Sequence, residues 1–72
     1  MSYKYHVDIH VYIGNMERNI TLKYDTFDVA YNVFNMHVDI QRAESDVDSW
    51  EVTLFDIENS SIKLYLSNTD FA

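Results

Sequence analysis

The chain has 72 residues, no cysteine, no proline and a formal net charge of −7 from 12 acidic and 5 basic side chains. A chain of this length makes one domain, residues 1–72, and buries only about 60% of its unfolded surface; with no cysteine it has neither disulfides nor a cysteine-based zinc site, which leaves oligomerisation or a partner to support a thin core. Hydrophobic content of 47% and aromatic content of 15% exclude a disordered tail, and the acidity excludes direct phosphate binding to nucleic acid while favouring a protein partner with a basic surface.

Lys4, His6, Asp8 and His10 interrupt the only early apolar segment, so no signal peptide is expected. No run approaches the roughly 20 apolar residues of a membrane span. The expectation is a cytoplasmic protein that does not engage membranes, in which the glycosylation patterns at Asn19 and Asn59 carry no meaning.

Residues 3–13 alternate without a fault. Tyr3, Tyr5, Val7, Ile9, Val11 and Ile13 face one way, and Lys4, His6, Asp8, His10 and Tyr12 the other, which predicts a strand. Gly14-Asn15 supplies a two-residue type II′ turn, with glycine taking the positive φ. Pairing Ile13 with Met16 then sets Ile9 opposite Ile20, Val7 opposite Leu22 and Tyr5 opposite Tyr24, leaving Arg18 as the one break in the apolar face.

A single helix is predicted over about residues 26–43, with Asp25 as its N-cap and Tyr24 and Val29 as a hydrophobic staple. At about 100° per residue, Asn32, Asp39, Asp28, Asn35 and Arg42 share one polar sector roughly 80° wide. Val29, Val33, Met36 and Ile40 form an apolar row, followed by Ala30, Phe34, Phe27, Val38 and Tyr31. That apolar circumference is about twice what a helix on one sheet needs. An exposed arc of Phe27, Tyr31, Phe34 and Val38 is therefore expected, either as a homodimer seam or as the anchor for a different protein. Met36, Val38 and Ile40 also alternate, so a strand over 36–42 competes with the helix; the polar sector through Arg42 favours the helix.

Residues 49–57 read as a third strand with Trp50, Val52 and Leu54 inward, and Phe55 and Ile57 either on the opposite face or after a bulge. A three-residue loop, Glu58-Asn59-Ser60, would oppose Leu54 to Leu64 and Val52 to Leu66 in a fourth strand, Ile62–Leu66. Residues 67–72 read as a loose polar tail. The fold class is α+β: a two-layer ββαββ domain, an antiparallel sheet with one helix on one face. Its other face would carry His6, Asp8, His10, Tyr12, Lys23, Glu51, Thr53, Phe55 and Tyr65, uncovered.

No catalytic, cofactor or phosphate-loop motif is present, and the expectation is a protein that is not an enzyme. His6-x-Asp8-x-His10 places three ligand types on one strand face about 6.6 Å apart, awkward for a single metal at about 2.1 Å. His37, on the flank of the apolar stripe, reads as a packed histidine. Glu44, Asp46, Asp48 and Glu51 form the densest acidic cluster. It has no central glycine for a calcium loop and no apolar pocket to raise one carboxyl for general acid catalysis. Carboxylates at alternate strand positions, about 6.6 Å apart, approximate the spacing of successive phosphates, so the cluster could imitate a nucleic-acid backbone.

A tiny, acidic, cysteine-free ββαββ domain with surface aromatics resembles, in size and charge, phage-encoded inhibitors of host defence, anti-CRISPR proteins among them. The resemblance implies an inhibitor that blocks a basic, nucleic-acid-binding surface of a host protein in the host cytoplasm. Its partner-binding residues would be Glu44, Asp46, Asp48 and Glu51, with Phe27, Tyr31 and Phe34 as apolar anchor or dimer seam. A structural homo-oligomer with no specific basic partner is the competing expectation.

Overall fold

The computed structural model describes residues 3–68, and its five elements follow the expected ββαββ order. The alternating segment forms β1, Tyr5–Ile13, and returns as β2, Met16–Tyr24. Gly14 has φ 61° and is the sole residue of the pair at its turn with positive φ, as a type II′ turn requires. The register is the one the turn dictates, from Ile13 opposite Met16 through Ile9 opposite Ile20 to Tyr5 opposite Tyr24.

The single helix, α1, spans Phe27–Ala43, so Met36–Arg42 is helical and the competing strand is absent. The N-cap is Thr26, not Asp25. Thr26 is extended (φ −121°, ψ 150°), and its Oγ1 accepts a hydrogen bond from the Val29 N–H at 3.5 Å. β2 stays in register through Tyr24, leaving Asp25 in the link between elements. The later cap moves the staple positions to Asp25 and Ala30, so Tyr24 and Val29 do not form one.

β3, Ser49–Asp56, pairs antiparallel with β1, and β4, Ser61–Ser67, pairs antiparallel with β3, in the order β2-β1-β3-β4. β2 and β3 are each antiparallel to β1 and hence parallel to one another. A connection between parallel strands must cross the sheet, usually as a helix, and this one passes over β1. That crossing explains the core. Val7, Ile9 and Val11 of β1 and Trp50, Val52 and Leu54 of β3 are buried beneath Ala30, Phe34 and Val38, which recur every four residues on α1.

Two expectations at the C-terminal end are corrected. The β3–β4 turn has four residues, because Asp56 pairs with Ser61 while Leu54 keeps Leu64; the extra residue is absorbed by a bulge at Lys63. Phe55 lies on the face away from the helix, opposite His6. Ser67 is no loose tail. It ends β4 fully buried, and the Asn68 side chain accepts from the Trp50 N–H (3.1 Å) and donates to the Asp48 carbonyl (3.1 Å). Residues 69–72 of the expected tail lie outside the described residues.

Asp56 closes the β3–β4 turn. Its Oδ1 accepts from the Asn59 N–H at 3.2 Å and its Oδ2 from the Asn59 amide at 2.8 Å, with Lys63 Nζ 3.9 Å away. The Asn59 side-chain hydrogen bond, helped by the Asn59 N–H and Lys63 against the opposing effect of burial, holds the Asp56 carboxyl below the usual carboxylate range. A group depressed in the folded state stabilises above its unfolded pKa and loses that contribution as pH falls through the folded one. Urea midpoints of the wild type and Asp56→Asn should therefore differ at pH 7 and converge below about pH 4. A gap that persists unchanged at pH 3 would show that the carboxylate's charge is not what the turn uses.

Candidate functional site

The structure sorts the expected partner-binding residues into two groups at opposite ends of the domain. Phe27 opens α1, whereas Glu44 caps its C-terminal end, and 17 helical residues span about 26 Å. The domain measures 37 × 22 × 18 Å. At the Phe27 end, its ring meets Tyr5 edge-on and Tyr31 in a stack, each at 5.7 Å between centroids. Both Phe27 and Tyr31 are exposed on their outer sides. Phe34 and Val38 are not: they are 2% and 3% exposed and belong to the core. The exposed arc therefore reduces to Phe27 and Tyr31. The apolar surplus lies on the other flank of the helix, at Val29, Met36 and Ile40.

At the opposite end, the acidic residues come from three segments. Glu44, Asp46 and Asp48 belong to the link between α1 and β3, Glu51 to β3 and Glu17 to β2. The Asp48 carboxylate accepts from the Gly14 N–H at 2.5 Å, and the Asp48 N–H donates to the Tyr12 carbonyl at 2.9 Å. Both bonds dock the link on the β1–β2 turn. Glu44, Asp46 and Asp48 are thus loop residues, and the strand spacing expected of an imitated phosphate backbone does not apply to them. The half-buried Val47 packs against the core and turns its two acidic neighbours outward.

Glu17 and Glu51 stand on the sheet face away from the helix, at the same end. Tyr12 lies opposite Glu17 and Ser49, and its neighbour His10 lies opposite Glu51. Burial, then the charges of Glu17 and Glu51, push the Tyr12 phenol above its ordinary value. His10 Nε2 sits 2.7 Å from Glu17 Oε1, and the His10 and Tyr12 rings approach to 4.5 Å. Further along the face, His6 contacts Asp8 at 3.1 Å and stacks on Phe55 at 4.9 Å, while Thr21 donates to Asp8 at 2.7 Å. Two of these contacts, His10 with Glu17 and Thr21 with Asp8, tie β1 to β2 across this face. Among the described residues no group of three or more His, Cys, Asp or Glu is placed to hold a metal ion.

A groove of about 340 Å³ runs between α1 and β2, walled by His37, Ile40 and Gln41 and floored by Val11, Arg18 and Ile20. It exists because the helix lies over β1 and β3, leaving the helix-side face of β2 only partly covered. His37 is half-buried there, as its position on the flank of the stripe anticipates. Glu44 and Asp46 stand at the groove's end.

No family model, curated protein or solved structure matches the chain. Among the described residues no helix is long and apolar enough to cross a membrane.

Proposed function

We propose that the protein is a non-enzymatic, protein-binding inhibitor whose acidic end occupies a basic, nucleic-acid-binding surface of its partner, as a phage-encoded anti-defence protein of anti-CRISPR type would. The observation that carries this reading is the pair of Asp48 hydrogen bonds that dock the α1–β3 link on the β1–β2 turn. They hold the Glu44–Asp48 link at the end of the domain where strand pairing places Glu17 and Glu51, in an elongated domain of charge −7. Clustered charge of one sign steers association with an oppositely charged surface and makes it sensitive to salt. The carboxylates stand in for phosphates as a group of fixed charges rather than as a regularly spaced row.

The test is capture from host lysate on the immobilised protein at low and high salt, followed by competition for each captured protein with duplex and single-stranded DNA. The expected result is a basic protein that is retained at low salt, released at high salt and displaced by nucleic acid. A partner held equally at both salts and indifferent to nucleic acid would refute the reading.

A further inference from the structure

We infer that the free edge of β2 pairs antiparallel with the β2 edge of a second copy, making a two-fold symmetric dimer with one continuous eight-stranded sheet. This goes beyond the proposed function and shares only Glu17 with the acidic end, so Glu44, Asp46 and Asp48 test the one reading and the β2 edge tests the other. The two edges of the sheet are unlike. β4 is interrupted by the bulge at Lys63, a common way of blunting an edge. β2 is nine residues long and pairs with β1 without a break.

The hydrogen-bond directions along β2 follow from its turn. In a two-residue hairpin the flanking pair, Ile13 and Met16, bond to one another. The even-numbered residues of β2 therefore turn their backbone groups towards β1, and Glu17, Asn19, Thr21 and Lys23 turn theirs outward. The Asp48 N–H donates to the Tyr12 carbonyl, which agrees: even-numbered residues of β1 bond towards the β3 side, leaving its odd ones for β2, and only Lys4, before the strand begins, divides its groups between the Tyr24 and Ile57 sides.

Centring the symmetry axis on Ile20 joins all four outward residues at once. Asn19 bonds Thr21 of the second copy, and Glu17 bonds its Lys23, about eight hydrogen bonds in all. On the open face, each Glu17 carboxylate then stands beside a Lys23 ammonium, a complementary cross-strand pair. On the helix face, Ile20 meets Ile20 and Met16 meets Tyr24. Shifting the register by two in either direction loses the Glu17–Lys23 match.

The charge distribution is compatible with this edge. Of the 12 acidic residues only Glu17 lies on β2, beside two of the five cations, Arg18 and Lys23. β4 also lacks acidic residues, so the charge permits either edge, and the unbroken β2 with its matched Glu17 and Lys23 decides between them. Met16 and Ile20, exposed in one chain, gain apolar neighbours. Both helices fall on the same side of the sheet, with Met36 and Ile40 of each lining a shared trough. Glu44, Asp46, Asp48 and Glu51 of each copy remain free of the interface, at opposite ends of the assembly.

Sedimentation equilibrium from about 10 µM to 1 mM should show the mass rising from the 8.5 kDa of one chain towards twice that. Glu17→Lys and Lys23→Glu should each weaken association about tenfold, and the double exchange should restore it. Asn19→Pro removes an outward N–H without touching the β1–β2 ladder, and should give a monomer with an unchanged circular dichroism spectrum. Ile20→Cys offers a check that survives any folding defect in that variant. At a non-hydrogen-bonded pair the Cα atoms lie about 4.5 Å apart, within disulfide range. Mild oxidation should therefore link Ile20→Cys into covalent dimers far faster than Met16→Cys, which does not face itself. A mass of one chain at every concentration, equal cross-linking of the two cysteine variants, or a double exchange no better than the singles would each overturn the inference.

Discussion

Phe34→Asp should leave the chain unfolded at neutral pH and 25 °C. Phe34 is 2% exposed and sits at the middle of the helix row that covers β1 and β3. Truncating a buried phenylalanine to alanine costs about 3–5 kcal/mol. A domain of 72 residues has in total roughly 4–11 kcal/mol of stability at typical values per residue. Phe34→Ala alone consumes a large part of that margin, and an unpaired carboxylate in the same place adds a desolvation cost that nothing nearby offsets. Tyr31→Asp, one turn earlier on the exposed flank, should shift stability by about 0.5 kcal/mol or less. Circular dichroism and urea denaturation separate the two variants. A folded Phe34→Asp protein would mean that α1 presents a different face to the sheet.

Reversing Glu44 and Asp46 together to lysine should weaken capture of the basic partner at low salt by roughly a hundredfold and flatten its salt dependence. Each reversal changes the charge by two, so the net charge moves from −7 to −3. Asp48 is the wrong residue for this test, because its carboxylate holds the Gly14 N–H and its reversal would release the link from the turn. The matched control is reversal of Asp28 and Asp39, exposed on the polar sector of the helix, which gives the same net charge. Binding measured at low and high salt should fall for the first pair and largely persist for the second. Equal losses would mean that overall charge, rather than a localised acidic end, governs association.

The sheet was legible where a local rule acted without competition. The alternation of residues 5–13 and the Gly14-Asn15 turn specify the β1–β2 register, because a slip by one residue would turn the apolar face outward. The inward set Trp50, Val52 and Leu54 and its pairing with Leu64 and Leu66 follow from the same rule. Asp25 and Thr26 are both good capping residues, so local sequence does not choose the N-cap, and only the length of β2 decides between them. The four-residue β3–β4 turn escaped notice because the bulge at Lys63 compensates for it and restores the expected partners.

The candidate site was less legible. Helical periodicity shows how much of α1 is apolar, but not which part of that circumference meets the sheet. Assigning Phe34 to an exposed arc placed the boundary of the stripe one row away from where it lies. The acidic cluster is visible as a run of residues, but sequence alone neither adds Glu17 to it nor shows that the Asp48 carboxylate is engaged within the chain. Both corrections depend on contacts between residues far apart in the chain: Asp48 with Gly14, and Glu17 with His10 and Tyr12.

The amino-acid sequence by itself determined the number and kind of elements, the hairpin register and the inward face of each strand, because these follow from periodicities of two and 3.6 and from one glycine at a turn. Tertiary structure alone decided the strand order, the helix face that is buried and the end of the domain where the charges gather. The physical reason is that β2 and β3 run parallel on either side of β1, which sends the helix across β1 towards β3. That crossing buries Ala30, Phe34 and Val38, uncovers the helix-side face of β2, and brings the α1–β3 link down on the turn that Gly14 makes.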